Sequence, residues 1–399
     1  MRRADRLKRI PPYPFVSWNR RCREATARGV DVIRLDIGDP DLVPPGPALD
    51  CLRRSLGEPG CHRYPGYSGT PTLRAAIAAY YARRFGVTLD PESQIVPLLG
   101  SKEGIVHLPL ALVNPGEAVL VPDPGYAPYR VGTILAGGEP VPFRLRAEQD
   151  YLPDFDAIPT EIADRAVLMW LNYPNNPTGA VADVDDLATA VDFARRNDIL
   201  LCHDAPYVDV AFDGCRPPSV LQIPGAVDVA VEFHSLSKML NMPGWRLGMA
   251  VGNPDALALL SLVKSNVDSG IFSPLQAAAA QGLSVDDVWI SFRNAIYRER
   301  LSLLVQGLTA AGFRASVPRA TLYVWAQVPS GWTSEAVAQH LLDETGVVVA
   351  PGSFFGSSGE GYVRVSATVP TERIREAVAR LRRVSSDGTF GRPHAEHRP

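Results

Sequence analysis

Between about residues 51 and 281 the chain alternates short apolar runs rich in branched residues with longer stretches whose apolar positions recur every three to four residues. That alternation predicts strands and helices in turn, the pattern of a mostly parallel α/β sheet covered by helices on both faces. The predicted strands are 95–99, 118–122, 140–144, 166–171, 199–203, 227–233 and 247–252. The stretch 183–196 predicts a covering helix, with Leu187, Ala190, Val191 and Phe193 on one side and Arg195 and Arg196 at its end. Residues 1–45 read as an N-terminal arm with part of a smaller domain, and 46–283 as the large domain. Residues 284–384 read as the rest of the small domain, of α+β type, which a helix from about 285 to 311 opens. The polar end, 385–399, reads as a flexible tail.

Composition narrows the function. Of 399 residues, 46% are hydrophobic and 21% charged, so the chain can bury a sizeable core. A formal charge of −3 leaves no field to draw it onto nucleic acid or an anionic membrane, and a small molecule is the expected partner. The five cysteines are scattered without a C-x-x-C pair, which argues for reduced thiols and against a zinc cage, and no metal is expected. No segment has the 18 or so apolar residues of a membrane span, and the start lacks the apolar core of a secretory signal, so the cytoplasm is the expected compartment.

The glycine-rich nucleotide loops, the G-x-S-x-G elbow and the H-E-x-x-H zinc motif are all missing from the sequence. Directly after the predicted strand 227–233 stand Ser235, Ser237 and Lys238, then Gly244, Arg246 and Gly248. A lysine at the carboxyl end of a strand in such a sheet points into the crevice where ligands bind. Two hydroxyls and a guanidinium beside it suit a phosphate, and an amine next to a phosphate cradle suggests a Schiff base with pyridoxal phosphate. Ser101 and Lys102, in the Gly100–Gly104 turn after strand 95–99, open a helix whose N–H groups could hold the same phosphate, although Ser101 could equally be an ordinary cap.

Other strands end in matching fashion. Tyr126 comes after strand 118–122 and could stack on a pyridine ring; a core tyrosine is the plainer reading. Asn176 lies in the Asn- and Pro-rich turn after strand 166–171, which would also serve as a turn alone. Asp204 and Tyr207 come after strand 199–203, where a carboxylate paired with a ring nitrogen favours its protonated form; a helix cap with a tyrosine packed beneath it is the alternative.

Taken together these motifs resemble the fold-type I, pyridoxal 5′-phosphate-dependent aminotransferases of class I and II, and the resemblance covers nearly the whole chain. The arm from Asp5 to Phe15, the run from Asp36 to Asp41, His62 to Pro65 and Glu232 to Lys238 look like the branch that contains the LL-diaminopimelate aminotransferases. The resemblance implies that Lys238 is the Schiff-base lysine and that Asp204 pairs with the pyridinium nitrogen. Asn176 and Tyr207 would bond the ring 3-hydroxyl, Tyr126 would stack on the ring, and Ser101, Lys102, Ser235, Ser237 and Arg246 would surround the phosphate. Tyr64 matches the tyrosine that reaches the partner subunit's phosphate, which implies a homodimer with active sites at the interface. Arg364 matches the arginine that grips the substrate α-carboxylate, with Asn176 beside it and Gly38 closing the other side.

The implied reaction moves an amino group between an L-amino acid and a 2-oxo acid in a ping-pong cycle. Met239, Leu240 and Pro243 depart from the residues more usual beside this lysine. A donor with a guanidino or other long polar side chain is therefore an alternative to diaminopimelate, and an oxidase, lyase or decarboxylase of the same fold is another. A ligand-sensing domain without catalysis is a further one, although no basic extension or helix-turn-helix segment precedes residue 40.

Overall fold

The structure is a computed structural model that describes residues 2–386. Most of the expected tail, 387–399, lies outside the described residues, but its first two positions belong to the helix Thr371–Ser386. That helix runs on because Ile374, Ala377, Val378 and Leu381 recur at helical spacing and are buried.

In chain order the strands are β1 (Ile33–Arg34), β2 (Ile95–Leu98), β3 (Ala118–Asp123), β4 (Glu139–Arg144), β5 (Ala166–Asn172), β6 (Leu200–Asp204), β7 (Ala230–Ser235), β8 (Gly248–Gly252), β9 (Tyr323–Gln327), β10 (Val347–Val348), β11 (Ala350–Pro351) and β12 (Tyr362–Ser366). Strands β2 to β8 form one sheet in the order β2-β8-β7-β6-β5-β3-β4. Strands β3 to β7 run parallel, and β8 is antiparallel to both β7 and β2. The carboxyl ends of β2, β3, β5, β6 and β7 therefore leave the sheet at one edge, and the chain enters β8 from that same edge. Every motif singled out between Gly100 and Gly248 sits along it.

Side chains alternate faces as a pleat requires. On one face Leu168 and Trp170 of β5 pack with Val121, Tyr129 and Phe233. On the other, Met169 and Leu171 meet Leu187, Val191 and Leu201. The helix Val184–Arg196 covers this second face and starts on a reciprocal cap, Asp183 accepting from the Asp186 backbone while Asp186 accepts from that of Asp183.

A further apolar cluster gathers Trp18, Leu35, Leu301, Leu304, Leu341, Val363 and Ile374. It joins the helices Pro14–Ala27, Asp287–Ala310, Ser334–Thr345 and Thr371–Ser386 to the sheet β11-β12-β9. A two-residue pairing, Ile33 with Val347 and Arg34 with Val348, ties the start of the chain to this region.

Strand β7 ends later than its apolar run. The run stops at Phe233, but Glu232 and His234 are both fully buried and lie within the strand, where the Glu232 carboxylate and His234 Nε2 bond each other. Glu232 accepts from Tyr81 Oη at 2.7 Å, Ser219 Oγ at 2.7 Å and the Val220 N–H at 2.8 Å, and its oxygens lie 2.9 Å from His203 Nδ1 and His234 Nε2. Burial alone would raise its pKa, but the two histidines reverse this and hold the carboxyl well below the usual range. The cluster locks β6 to β7 on the face opposite Asp204. Glu232→Ala strands several buried donors at once and is expected to remove about 3–5 kcal/mol of stability. That loss should appear as a lower urea midpoint at unchanged slope; an unaltered midpoint would refute the role given to this cluster.

Candidate active site

At the convergent sheet edge lies a cavity of about 630 Å³. Its phosphate-sized end is built from three strand ends. Ser101 and Lys102 begin the helix Ser101–Leu112, for which Gly100, not Ser101, is the cap residue, so the Ser101 side chain is not used as a cap. Gly100 has φ +81°, and a Cβ there would collide with the Arg246 guanidinium, so glycine lets the turn and the arginine approach each other. Arg246 reaches Ser237 Oγ at 3.5 Å and the Pro243 carbonyl at 3.1 Å. Burial, with Arg246 adding to it, holds the Lys102 ammonium below its ordinary pKa. Lys102, Arg246 and the open N–H groups of the helix start together make an anion site.

The cavity wall beside it carries Asp204, at the end of β6 and 4% exposed. No helix starts at Asp204, so the cap alternative for this residue falls. Its Oδ2 accepts from Tyr129 Oη at 2.7 Å, while Oδ1 is buried without a partner. Burial raises this carboxyl to about 6, against the pull of Tyr129 and His203. Asn172 donates to the Asp204 carbonyl at 2.6 Å and accepts from the Asn176 N–H at 2.7 Å, so the turn after β5 is tied to the end of β6. Tyr126 meets Tyr129 edge to face with centroids 5.7 Å apart.

At the far end Lys238 extends from the short helix Leu236–Met239 and donates to the Gly38 carbonyl. Burial pulls its ammonium below the ordinary value, with nearby Arg364 and Arg246 working the same way. Arg364, 5% exposed on β12, donates to Asn176 Oδ1 and to the Asp36 carbonyl, each at 2.7 Å. Its guanidinium lies over the rings of Tyr323 (4.2 Å) and Phe355 (4.6 Å), and its Nε is buried without a partner. The site thus offers an anion cradle, an amine of lowered pKa, an unpaired buried carboxylate oxygen and a cation with an unused donor. That set can bind a phosphorylated ring and a carboxylate on either side of a nucleophilic amine.

The pattern shared by the aminotransferases of class I and II matches residues 30–381. The chain belongs to that family. This class I/II aminotransferase is 50% identical to the LL-diaminopimelate aminotransferase of Syntrophobacter fumaroxidans, over 96% of its own length and 99% of the relative's. It is likewise 50% identical to that of Desulforudis audaxviator, over 97% and 99%. Among solved structures it is similar to substrate-bound BacF of Bacillus subtilis, with a TM-score of 0.92, 36% identity and coverage of 96% of this chain and 98% of the other.

Like its family, the enzyme uses pyridoxal 5′-phosphate. The residues present fit that group: the orphaned Asp204 Oδ1 suits a protonated ring nitrogen, the amine of Lys238 suits an aldehyde, and the cradle suits a phosphate.

Of the residues singled out in the sequence, Gly38, Ser101, Lys102, Tyr126, Asn176, Asp204, Tyr207, Ser235, Ser237, Lys238, Arg246 and Arg364 all line this one cavity. Tyr64 does not, and is 93% exposed. Met239 and Leu240, two of the unusual residues beside the lysine, are buried in the core behind the sheet edge; Pro243 and Gly244 face the cavity. Sequence reasoning missed Tyr13, Asp39, Tyr129 and Tyr323, which also line it. Tyr129, three residues after Tyr126 and thus one helical turn on, could have been found by spacing. No local signal marks Tyr323.

Proposed function

We propose that the enzyme takes LL-diaminopimelate as amino donor and passes the amino group to a 2-oxo acid. The observation that carries this reading is Lys238 sharing one cavity with Arg364 and with Asp204, whose Oδ1 is unpaired, in a chain that is 50% identical to enzymes named for that donor.

Asp204 would hold the protonated ring nitrogen of the cofactor, Tyr126 its ring face, Asn176 and Tyr207 its 3-oxygen, and Ser101, Lys102, Ser235, Ser237 and Arg246 its phosphate. When bound, pyridoxal 5′-phosphate supplies the electron sink for the pair left at the substrate Cα. Arg364 orients the substrate by a fork on its α-carboxylate, with Gly38 closing the opposite side. Lys238 takes the Cα proton with its freed amine and delivers it to C4′, which is why an amine of lowered pKa is useful here. The same residues run the acceptor half in reverse.

The proposal extends to a homodimer. Tyr64, Tyr67 (58% exposed), Leu262 (60%) and Val267 (63%) leave large apolar side chains in solvent, as a surface awaiting a second copy would. Tyr64 would then complete the neighbouring subunit's phosphate site. No helix among the described residues is long and apolar enough to cross a membrane. The cytoplasm is the proposed compartment, in keeping with five unpaired cysteines.

Initial rates with LL-diaminopimelate, arginine, glutamate and aromatic amino acids, each with a 2-oxo acid, test the donor. LL-diaminopimelate is expected to lead in kcat/KM by about tenfold or more. A lead for arginine would transfer the assignment to a guanidino donor, and oxygen uptake without any 2-oxo acid would replace transamination by oxidation.

A further inference from the structure

Tyr323 begins β9 and is buried at the inner end of the cavity, where three groups meet it. Its hydroxyl lies 3.0 Å from that of Tyr207. Its ring face carries the Arg364 guanidinium at 4.2 Å. From the third side the chain at Gly38 comes so close that a Cβ there would collide with the Tyr323 hydroxyl. The antiparallel register of β9 and β12 pairs Tyr323 with Ser366 and Trp325 with Arg364, so Tyr323 and Arg364 are diagonal neighbours on one face of the sheet. Backbone pairing, not side-chain chance, sets their separation.

Resting on the site assignment above, we propose that Tyr323 is a positioning residue for the reaction. Its hydroxyl donates to Tyr207, which frees and strengthens the Tyr207 proton for the cofactor's 3-oxygen. Its ring is the platform that holds Arg364 toward the substrate carboxylate.

The direction of the phenol pair is set by its surroundings. The charged groups that face it are Lys238, Arg364, Asp39 and, from β6, Asp204. Burial pushes the Tyr323 phenol up, but Arg364, which lies against its ring, then Lys238 and the bond with Tyr207 together bring the group below its ordinary value. Burial, and then Tyr323 itself, push Tyr207 well above it. Of two phenols sharing a hydrogen bond the more acidic donates, so the Tyr207 proton is left for another acceptor. The platform matters because the two Nη bonds, to Asn176 and the Asp36 carbonyl, hold the guanidinium only along its edge, and the rings against its faces keep it from tilting out of that plane.

The test uses the full-length protein loaded with pyridoxal 5′-phosphate, and reads the pH midpoint of its visible absorbance and the KM for the amino donor. Tyr207 favours the form with more charge on the 3-oxygen. Tyr323→Phe is therefore expected to move the midpoint upward by about half to one pH unit. Its KM should stay within about threefold of wild type, since the ring remains. Tyr323→Leu loses ring and hydroxyl together, and should add a rise in KM of about three- to thirtyfold. In a Tyr207→Phe background the Tyr323→Phe change should shift the midpoint no further. Gly38→Ala displaces the same hydroxyl from its other side and should raise the midpoint too, which gives a second route if a Tyr323 variant does not fold. Variants that all keep the wild-type midpoint, or Phe and Leu variants with equal KM, overturn this inference while leaving the site assignment standing. A wild-type protein that takes up no pyridoxal 5′-phosphate overturns both.

Discussion

Replacing Lys238 with alanine is expected to lower kcat/KM by at least about 10⁴-fold, because the change removes both a nucleophile and the proton carrier for Cα. The chain makes this test unusually selective. It has four lysines, Lys8, Lys102, Lys238 and Lys264. Lys8 pairs with Asp5 at 2.7 Å, and Lys264 with Glu103 at 2.5 Å. Lys102 and Lys238 both line the cavity, and burial lowers the pKa of both.

Position separates them. The Lys102 ammonium lies 5.5 Å from the Tyr13 ring centroid and feels Arg246 at the cradle end, where a phosphate would claim it. Lys238 donates to the Gly38 carbonyl, at the end where Arg364 lies. Borohydride reduction of the loaded protein and then peptide mapping should therefore mark Lys238 in wild type and in Lys102→Ala, and no lysine in Lys238→Ala. A label on Lys102 would reverse the two roles.

Asp204→Asn is expected to lower kcat/KM by about 10²- to 10³-fold, since a buried cation on the cofactor ring would lose the counter-charge that Asp204 supplies. The same change should stabilise the cofactor-free protein. Burial raises the folded-state pKa of Asp204 to about 6, from 3.8. The folded chain thus binds a proton that the unfolded chain releases between about pH 4 and 6, and stability falls as pH rises through that window. Above about pH 6 the ionised carboxylate costs roughly 2–3 kcal/mol, which the neutral amide avoids. Without cofactor, the Asp204→Asn variant should have the higher urea midpoint at pH 7, and at pH 4 the midpoints of variant and wild type should nearly coincide. A variant less stable than wild type at pH 7 would show that the carboxylate is a net stabiliser of the fold, against this account of its burial. Stability given up for a binding function is common at active sites.

How much of this could be read from the sequence depended on how local the signal was. Lys238, Asp204, Asn176 and Tyr126 were legible because each comes after an apolar run at a strand's carboxyl end, and parallel strands deliver all such ends to one edge. The mixed direction of the sheet at β2 and β8 is compatible with this, since β2 still ends, and β8 begins, at that edge. The end of β7 was read two residues early, at Phe233, because the buried His234 and Ser235 look like surface residues until the bond of His234 to Glu232 is seen. Its start was read too early as well, since Ala226–Asp228 is a tight helical turn ahead of the strand. Tyr323 and Asp39 could not be read at all. They reach the cavity through β9 and through the segment after β1, whose two-residue pairing with β10 joins positions more than 300 residues apart in the chain and leaves no local pattern. Arg364 was found by resemblance alone; strand alternation gives it no special standing.

The most direct test of the central claim is a half-reaction. The loaded, purified enzyme is titrated with LL-diaminopimelate in the absence of any 2-oxo acid while its visible absorbance is monitored. Loss of the yellow band, with its return when a 2-oxo acid is added, is the expected result. A band that LL-diaminopimelate leaves unchanged, or one that fades and is not restored by any 2-oxo acid, would contradict transamination of this donor by this site.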